Sequence, residues 1–493
     1  MKDTAFGGLS GRIVTPCSPQ YPEARQGWNR AIQQYPGIIV YCQTIQDVSN
    51  AILWAKQNCM PLRVRNGRHN YEGFSNGNCA LLIDISEMNE IEINEENRLL
   101  HVLAGATNHD VYTVVGALGY PFPGGTCPTV GISGYALGGG WGLSCRMLGL
   151  GCDSVEEIHL VDANGCLITA SRTCHEDLFW ACRGAGGGNF GVVVSMTFRL
   201  PPKTEFVTLI EIDYLHVPPA EQTRFFGLWQ TWIRQADPRM TLLARIYRSP
   251  QDGLAMLIRG LFYGTPAEAE GLLAPFRQIP ASNSAVSQMS FLEAVEILGG
   301  NYPPWELFSA VSRYAVRELS VPEMKTLTAM IQNPPPGSVF TGLSLYALGG
   351  KVGEVPQNET AFFYRNAGYI LWLETVWEET SFAEPGREWI CRHFPVFSSM
   401  TAGSYVNFPF RELPFYLQAY YGAHVERLKQ VKQTYDPLHV FSFPQGITAD
   451  ATTVPFVEPQ WITPSEMAEA TGLLQQEQQN HRNFRYAGGG SPL

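Results

Sequence analysis

At 493 residues the chain exceeds what one hydrophobic core usually serves, so at least two domains are expected. A composition of 45% hydrophobic and 16% charged residues, with 48 Gly and 34 Pro, describes a packed globular protein rich in tight loops and excludes a disordered one. A net charge of −11 supplies no basic footprint for neutralising phosphates, which sets nucleic acid aside as a partner.

Neither the first residues, Met1-Lys2-Asp3-Thr4-Ala5-Phe6, nor any later run has the apolar length of a secretory signal or a bilayer span. The expectation is a soluble cytoplasmic protein with no membrane partner, and its oligomeric state stays open. Eleven cysteines, an odd number with no Cys-x-x-Cys pair, argue against zinc and against a disulfide framework. Most of them read as small buried hydrophobes.

In chain order, 38–42 reads as a strand, and Thr44 with Asp47 as a capping box opening a helix whose apolar face is Ile45, Val48, Ala51, Ile52 and Ala55. Pro61 follows, then a second strand, Leu62–Arg65, and a loop, Asn66-Gly67-Arg68-His69-Asn70. Strands at Leu81–Ile85, Ile91–Ile93 and Leu99–Leu103 precede a helix capped by Thr107 and Asp110 and ended near Gly119. Pro201-Pro202 marks a boundary, after which the texture is aromatic and strand-like, as in Tyr369–Leu373, with a helix over Glu221–Gln235. The class is α+β, with a first domain over 1–202, a second over 203–400 and a C-terminal segment over 401–493. The tail Gly488-Gly489-Gly490-Ser491-Pro492 is expected to be loosely held.

Gly186-Gly187-Gly188-Asn189-Phe190-Gly191 fits the pattern G-x-G-x-x-G, but a Rossmann site needs a strand before it and a helix after it. Here Asp177–Cys182 reads as helix and Val192–Phe198 as strand, so the run is kept only as a place where backbone can approach a ligand. Neither a Walker motif nor a G-x-S-x-G elbow occurs, and His424 and His439 lack metal spacing. Two segments carry more: Arg65 to Gly73, and Pro123 to Gly131 continuing through Gly134 to Gly138-Gly139-Gly140. Successive backbone N–H groups in such Gly-bearing loops suit a pyrophosphate, and bare main chain suits a flat ring.

Together with Gly184–Val193, Tyr405-Val406-Asn407-Phe408, Tyr420-Tyr421-Gly422 and Tyr435 to Gln445, these segments resemble the berberine-bridge-enzyme-like oxidases, a branch of the vanillyl-alcohol-oxidase (p-cresol methylhydroxylase, PCMH) flavoproteins. The resemblance covers about 30–450. It implies a PCMH-type FAD-binding domain, formed with the C-terminal part, and a substrate domain whose antiparallel sheet is covered by helices and roofs the flavin. It further implies FAD bound covalently through both His69 and Cys127, in a site that includes Arg65, Asn66, Gly67, Arg68, Asn70, Gly125, Thr126, Thr129, Val130, Gly131, Gly134, Gly139, Gly140, Gly188, Gly191, Val192, Tyr405, Asn407 and Tyr420. The base implied is Tyr421, with Tyr71 as the loop tyrosine. Where sugar oxidases of the family carry H-R-D, this chain reads Tyr364-Arg365-Asn366, so Tyr364 stands in for the assisting group or the substrate is not a simple sugar. Val130, three after the cysteine, resembles the oxidases that use dioxygen, and Gly125 carries no side chain to plug the pocket. The implied activity is oxidation of a small alcohol, carbohydrate or secondary metabolite, with H2O2 formed from O2. An oxidative cyclising enzyme and a non-catalytic coat or binding protein retaining flavin are the alternatives.

Overall fold

The computed structural model describes residues 6–448, and the Gly488 to Pro492 tail lies outside them. Three sheets organise this part of the chain. The first has the order Arg12–Val14, Ile38–Tyr41, Leu81–Asp84, Leu62–Arg65, and its last three strands run parallel. The helix between strands, Ile45–Gln57, starts on the expected capping box: the Thr44 hydroxyl accepts from the Asp47 N–H and the Asp47 carboxylate accepts from the Thr44 N–H. Val48, Ala51, Ile52 and Ala55 are buried as expected, whereas Ile45, in the first turn, is 40% exposed. A second capping box, Thr107 with Asp110, opens the helix Asn108–Ala117.

The second sheet is antiparallel, in the order Ile91–Asn94, Leu99–Leu103, Val192–Arg199, Val155–Val161, Leu167–Ser171. The Gly186–Gly191 run lies between the helix Glu176–Ala181 and the strand Val192–Arg199, the reverse of a Rossmann turn. Past Pro201-Pro202 the chain enters the third sheet, seven antiparallel strands ordered Asn283–Met289, Val207–Tyr214, Gly253–Phe262, Met240–Ser249, Ser338–Ala347, Tyr369–Trp377, Leu307–Ala315. Helices Pro219–Gln235, Val321–Gln332 and Ala383–Met400 pack on it. The first of these begins two residues before the expected start, because Pro219 and its fixed φ suit a first helical position.

Strand alternation divides the third sheet's two faces. Tyr369 points at Trp229 and Phe226 of the helix Pro219–Gln235, while Trp372, Glu374 and Val376 face a cavity. Among the described residues no helix is long and apolar enough to cross a membrane. All eleven cysteines are free thiols.

Candidate active site

The parallel register sets Arg65 beside Asp84, and the buried pair closes with Nε donating to the carboxylate at 2.8 Å. Arg65 also donates to the Ala24 carbonyl at 2.8 Å. This anchors the end of the strand from which the His69 loop departs. The loop turns through Arg68, held at φ +66°, and the Asn70 side chain accepts from the Phe74 N–H at 2.8 Å, fixing the residues around Tyr71.

The second motif reaches this loop because both chains are bare where they cross. A Cβ on Gly67 would strike the Gly131 nitrogen and lie 2.6 Å from the Thr129 carbonyl, and a Cβ on Gly131 would strike the Asn66 amide. The crossing puts His69 Nε2 2.8 Å from the Thr129 hydroxyl and 4.0 Å from Cys127 Sγ. Trp28 stacks on the His69 ring at 5.2 Å. Burial pulls the imidazole down to about 4, so it is neutral at physiological pH, and burial raises the Cys127 thiol against the opposing hydrogen bonds from Thr129.

Both side chains border a cavity of about 690 Å³. At one end lies the glycine loop, with Gly186 and Gly188 in left-handed conformations at φ +84° and +77°. A Cβ on Gly134 would meet nothing within 4 Å and would occupy the cavity itself. Two buried polar atoms on the same wall, Arg65 Nη1 and Asn66 Oδ1, have no hydrogen-bond partner among the described residues. Bare main chain, an open glycine and unsatisfied polar atoms fit a long ligand that combines a polar middle with a flat ring, and FAD has that form.

The opposite wall comes from the seven-stranded sheet. Tyr71, Trp372 and Phe408 form a three-ring cluster, with Tyr71 5.6 Å from Trp372 and 5.4 Å from Phe408, and those two 5.5 Å from each other. Arg245 stands on one strand with Nη2 3.4 Å from Glu374 Oε1 on another, and its Nε donates to Ser344 at 2.8 Å. Burial raises Glu374 to about 8, opposed by Arg245 and reinforced by Glu306, and burial raises Glu306 to about 7 against Arg245. Tyr302 reaches across to Thr126, with the two hydroxyls 2.6 Å apart.

Of the expected site residues, the structure gathers Arg65 to Tyr71, Gly125 to Cys127, Val130, Gly131, Gly134, Gly188, Gly191, Tyr405, Asn407, Tyr420 and Tyr421 around this cavity. Others stand behind it. Thr129 acts through His69. Gly140 donates its N–H to the Tyr405 hydroxyl at 2.9 Å, and a Cβ on Gly139 would meet Phe362. Val192 is buried within its strand. Gly125 borders the cavity, but a Cβ there would run into Asn108 and Tyr135, so the missing side chain makes room for packing.

Tyr364 and Asn366 are corrections: Tyr364 stacks on Tyr314 at 4.3 Å, Asn366 is exposed, and neither borders the cavity. Tyr421 is fully enclosed beside the glycine loop, where its hydroxyl donates to the Ala185 carbonyl at 2.7 Å and burial raises its pKa. Sequence reasoning missed Arg245, Tyr302, Glu306, Tyr346, Trp372 and Glu374. One signal was available, since Glu374 is the single charge within Tyr369-Ile370-Leu371-Trp372-Leu373-Glu374-Thr375-Val376-Trp377.

Residues 36–171 match the family model described as FAD binding domain, and residues 404–448 match that described as berberine and berberine like. The chain is 37% identical over 447 residues to an uncharacterised FAD-linked oxidoreductase of Bacillus subtilis, YgaK, covering 89% of this chain and 97% of that protein. It is 26% identical over 451 residues to the monolignol oxidoreductase AtBBE-like 13 of Arabidopsis thaliana, covering 82% of each. Among solved structures it resembles the BBE-like 1 protein of Physcomitrella patens, with a TM-score of 0.82, 27% identity, and coverage of 90% of this chain and 98% of that one.

Proposed function

Because the chain belongs to the berberine-bridge-like family of FAD-linked oxidoreductases, we propose that it holds FAD through two covalent bonds, at His69 and Cys127, and oxidises a small organic substrate at the expense of dioxygen. The observation that carries this reading is the crossing of the two glycine-bearing loops, which sets His69 Nε2 4.0 Å from Cys127 Sγ on the wall of one cavity. Bound FAD supplies a hydride acceptor, N5 of its ring, and a reduced form that dioxygen can reoxidise.

The protein's part is attachment and orientation. His69 is neutral, and in the tautomer whose Nε2 donates to the Thr129 hydroxyl its Nδ1 lone pair is the one free to bond to the ring. Cys127 gives a second point of attachment, so the flavin is held without being enclosed and the cavity can stay open to substrate. Aromatic walls at Tyr71, Trp372 and Phe408 suit a flat apolar body, in keeping with the activity that the Arabidopsis relative's name records. Val130 borders the cavity between Thr129 and Gly131, the two residues that Gly67 approaches, and leaves dioxygen a smaller obstacle than isoleucine would.

Acid precipitation tests the attachment. The pellet stays yellow in the wild type and in His69→Ala or Cys127→Ala, and loses its colour only in the double variant; flavin left wholly in the wild-type supernatant overturns the reading. Peroxide release on addition of coniferyl alcohol, benzylic alcohols and sugars then identifies the substrate class. In stopped-flow mixing with aerated buffer the reduced wild type returns rapidly to the oxidised spectrum, and Val130→Ile slows that return.

A further inference from the structure

We propose that Glu374 is the base that takes the substrate's proton. This rests on the flavin-oxidase reading above and assigns a step that Tyr421, enclosed with its hydroxyl donating to the Ala185 carbonyl, is poorly placed to perform. The strand Tyr369–Trp377 is buried along its whole length, and a carboxylate there is costly unless something uses it. Its direct neighbours on the two adjacent strands are Ala310 and Gly342, and the Phe340 ring lies over Gly342 on the side that Oε1 approaches. Glu374 borders the cavity; its Oε1, enclosed beside Arg245 at 3.4 Å, accepts no hydrogen bond among the described residues, so the carboxyl carries a partial charge balance and no fixed donor there.

Its place relative to the flavin attachment follows from shared neighbours. Tyr71 and Tyr302 each lie within electrostatic reach of both Glu374 and Cys127, and Tyr302 bonds to Thr126, the residue before Cys127. The carboxyl therefore faces the attachment loop across the cavity. The charged and titratable groups around it are Tyr346 from the adjacent strand, Arg245 from the next but one, Tyr302 and Glu306 from the segment before Leu307, and Tyr71 from the His69 loop. Tyr421, by contrast, spends its proton on the Ala185 carbonyl.

The step balances as follows. The substrate's O–H bond breaks and its proton passes to the Glu374 carboxylate; the adjacent C–H bond breaks and its electron pair leaves as hydride to the flavin; a C=O bond forms. Two electrons and two protons then reach dioxygen as hydrogen peroxide. With Glu374 raised to about 8, the accepting form gains population as pH rises through that value.

Phenol is a suitable probe of this acceptor, because its hydroxyl stays protonated to about pH 10 and its ring suits the aromatic cluster of Tyr71, Trp372 and Phe408. Its binding to the holoenzyme is followed by the change in the flavin's visible absorbance. If Glu374 is the acceptor, phenol binds about thirtyfold more tightly near pH 9 than near pH 6.5, as the carboxylate forms. Glu374→Gln retains covalent flavin and loses the pH dependence, whereas Glu374→Asp retains both. Binding that is independent of pH in the wild type, a pH dependence that survives Glu374→Gln, or no binding at all overturns the assignment. A protein that yields no covalent flavin fails the earlier reading instead, and acid precipitation of the same preparations separates the two.

Discussion

A methyl group at position 67 would land on the backbone nitrogen of Gly131, and one at 131 on the Asn66 amide. The approach of His69 to Cys127 is thus enforced from two residues before the first and four after the second, by the absence of side chains. Gly67→Ala is expected to cost about 1–3 kcal/mol by overpacking and, because it parts the loops, to lower covalent flavin per mole of protein. Gly271→Ala, where an added Cβ meets nothing within 4 Å, leaves both unchanged. Absorbance of the acid pellet and the thermal midpoint check both variants. At the same scale, Glu374→Gln should slow anaerobic flavin reduction by about 10²–10⁴-fold, while Tyr421→Phe, which loses only a bond to a backbone carbonyl, should affect it far less. A larger effect at Tyr421 returns the base to the Tyr420-Tyr421-Gly422 motif.

Among elements, the helix Val425–Tyr435 is a latch on the glycine loop. Lys432 is fully buried and donates to the carbonyls of Asn189 and Phe441 at 2.6 and 2.7 Å and to Asp436 at 2.7 Å. Asp436 in turn accepts from the N–H groups of Val440 and Phe441. Lys432→Met strands a buried carboxylate and frees the loop, so a loss of about 3–5 kcal/mol is expected in denaturant unfolding; a loss below 1 kcal/mol would mean that water replaces the ammonium. This contact joins residues 243 apart in sequence, which is why reading the chain in order did not find it. What was legible is local: both capping boxes complete themselves within four residues, and helix before strand around Gly186–Gly191 excluded a Rossmann turn. Pairing of Arg245 with Glu374, or the placing of Tyr364 against Tyr314 instead of the cavity, depends on the order of seven strands, and alternation within one strand carries no information about that order.

For the whole molecule, in the pH dependence of stability three enclosed carboxyls outweigh two histidines, His69 and His424, whose values burial lowers and which favour the fold as pH rises. Burial, the largest cause in each case, raises Glu72 and Glu306 to about 7 and Glu374 to about 8, against the opposing charges of Arg411 at the first and Arg245 at the other two. Their folded values lie above the ordinary value of 4.5, so the native state holds these protons more tightly than the unfolded chain does. The stability they confer is fully present below that ordinary value and is lost as pH rises through the folded values. Carboxylates shifted the other way act on the opposite flank. Hydrogen bonds from Ser10, Gln43 and Thr44 outweigh partial burial to lower Asp47, and the Arg317 contact lowers Glu323 to about 2, so their contribution fades only as pH falls below the ordinary carboxylate range. The two flanks place the stability maximum on the acid side of neutrality, near pH 5. The thermal midpoint should therefore fall between about pH 5 and about pH 8.5. Glu72→Gln, remote from the proposed base, should shrink that fall by raising the midpoint relative to wild type more at the alkaline end than at pH near 5. Calorimetry of both proteins across this range decides it: a wild-type midpoint that is flat or rises toward pH 8.5 means that water or a conformational adjustment solvates these carboxylates in the folded chain.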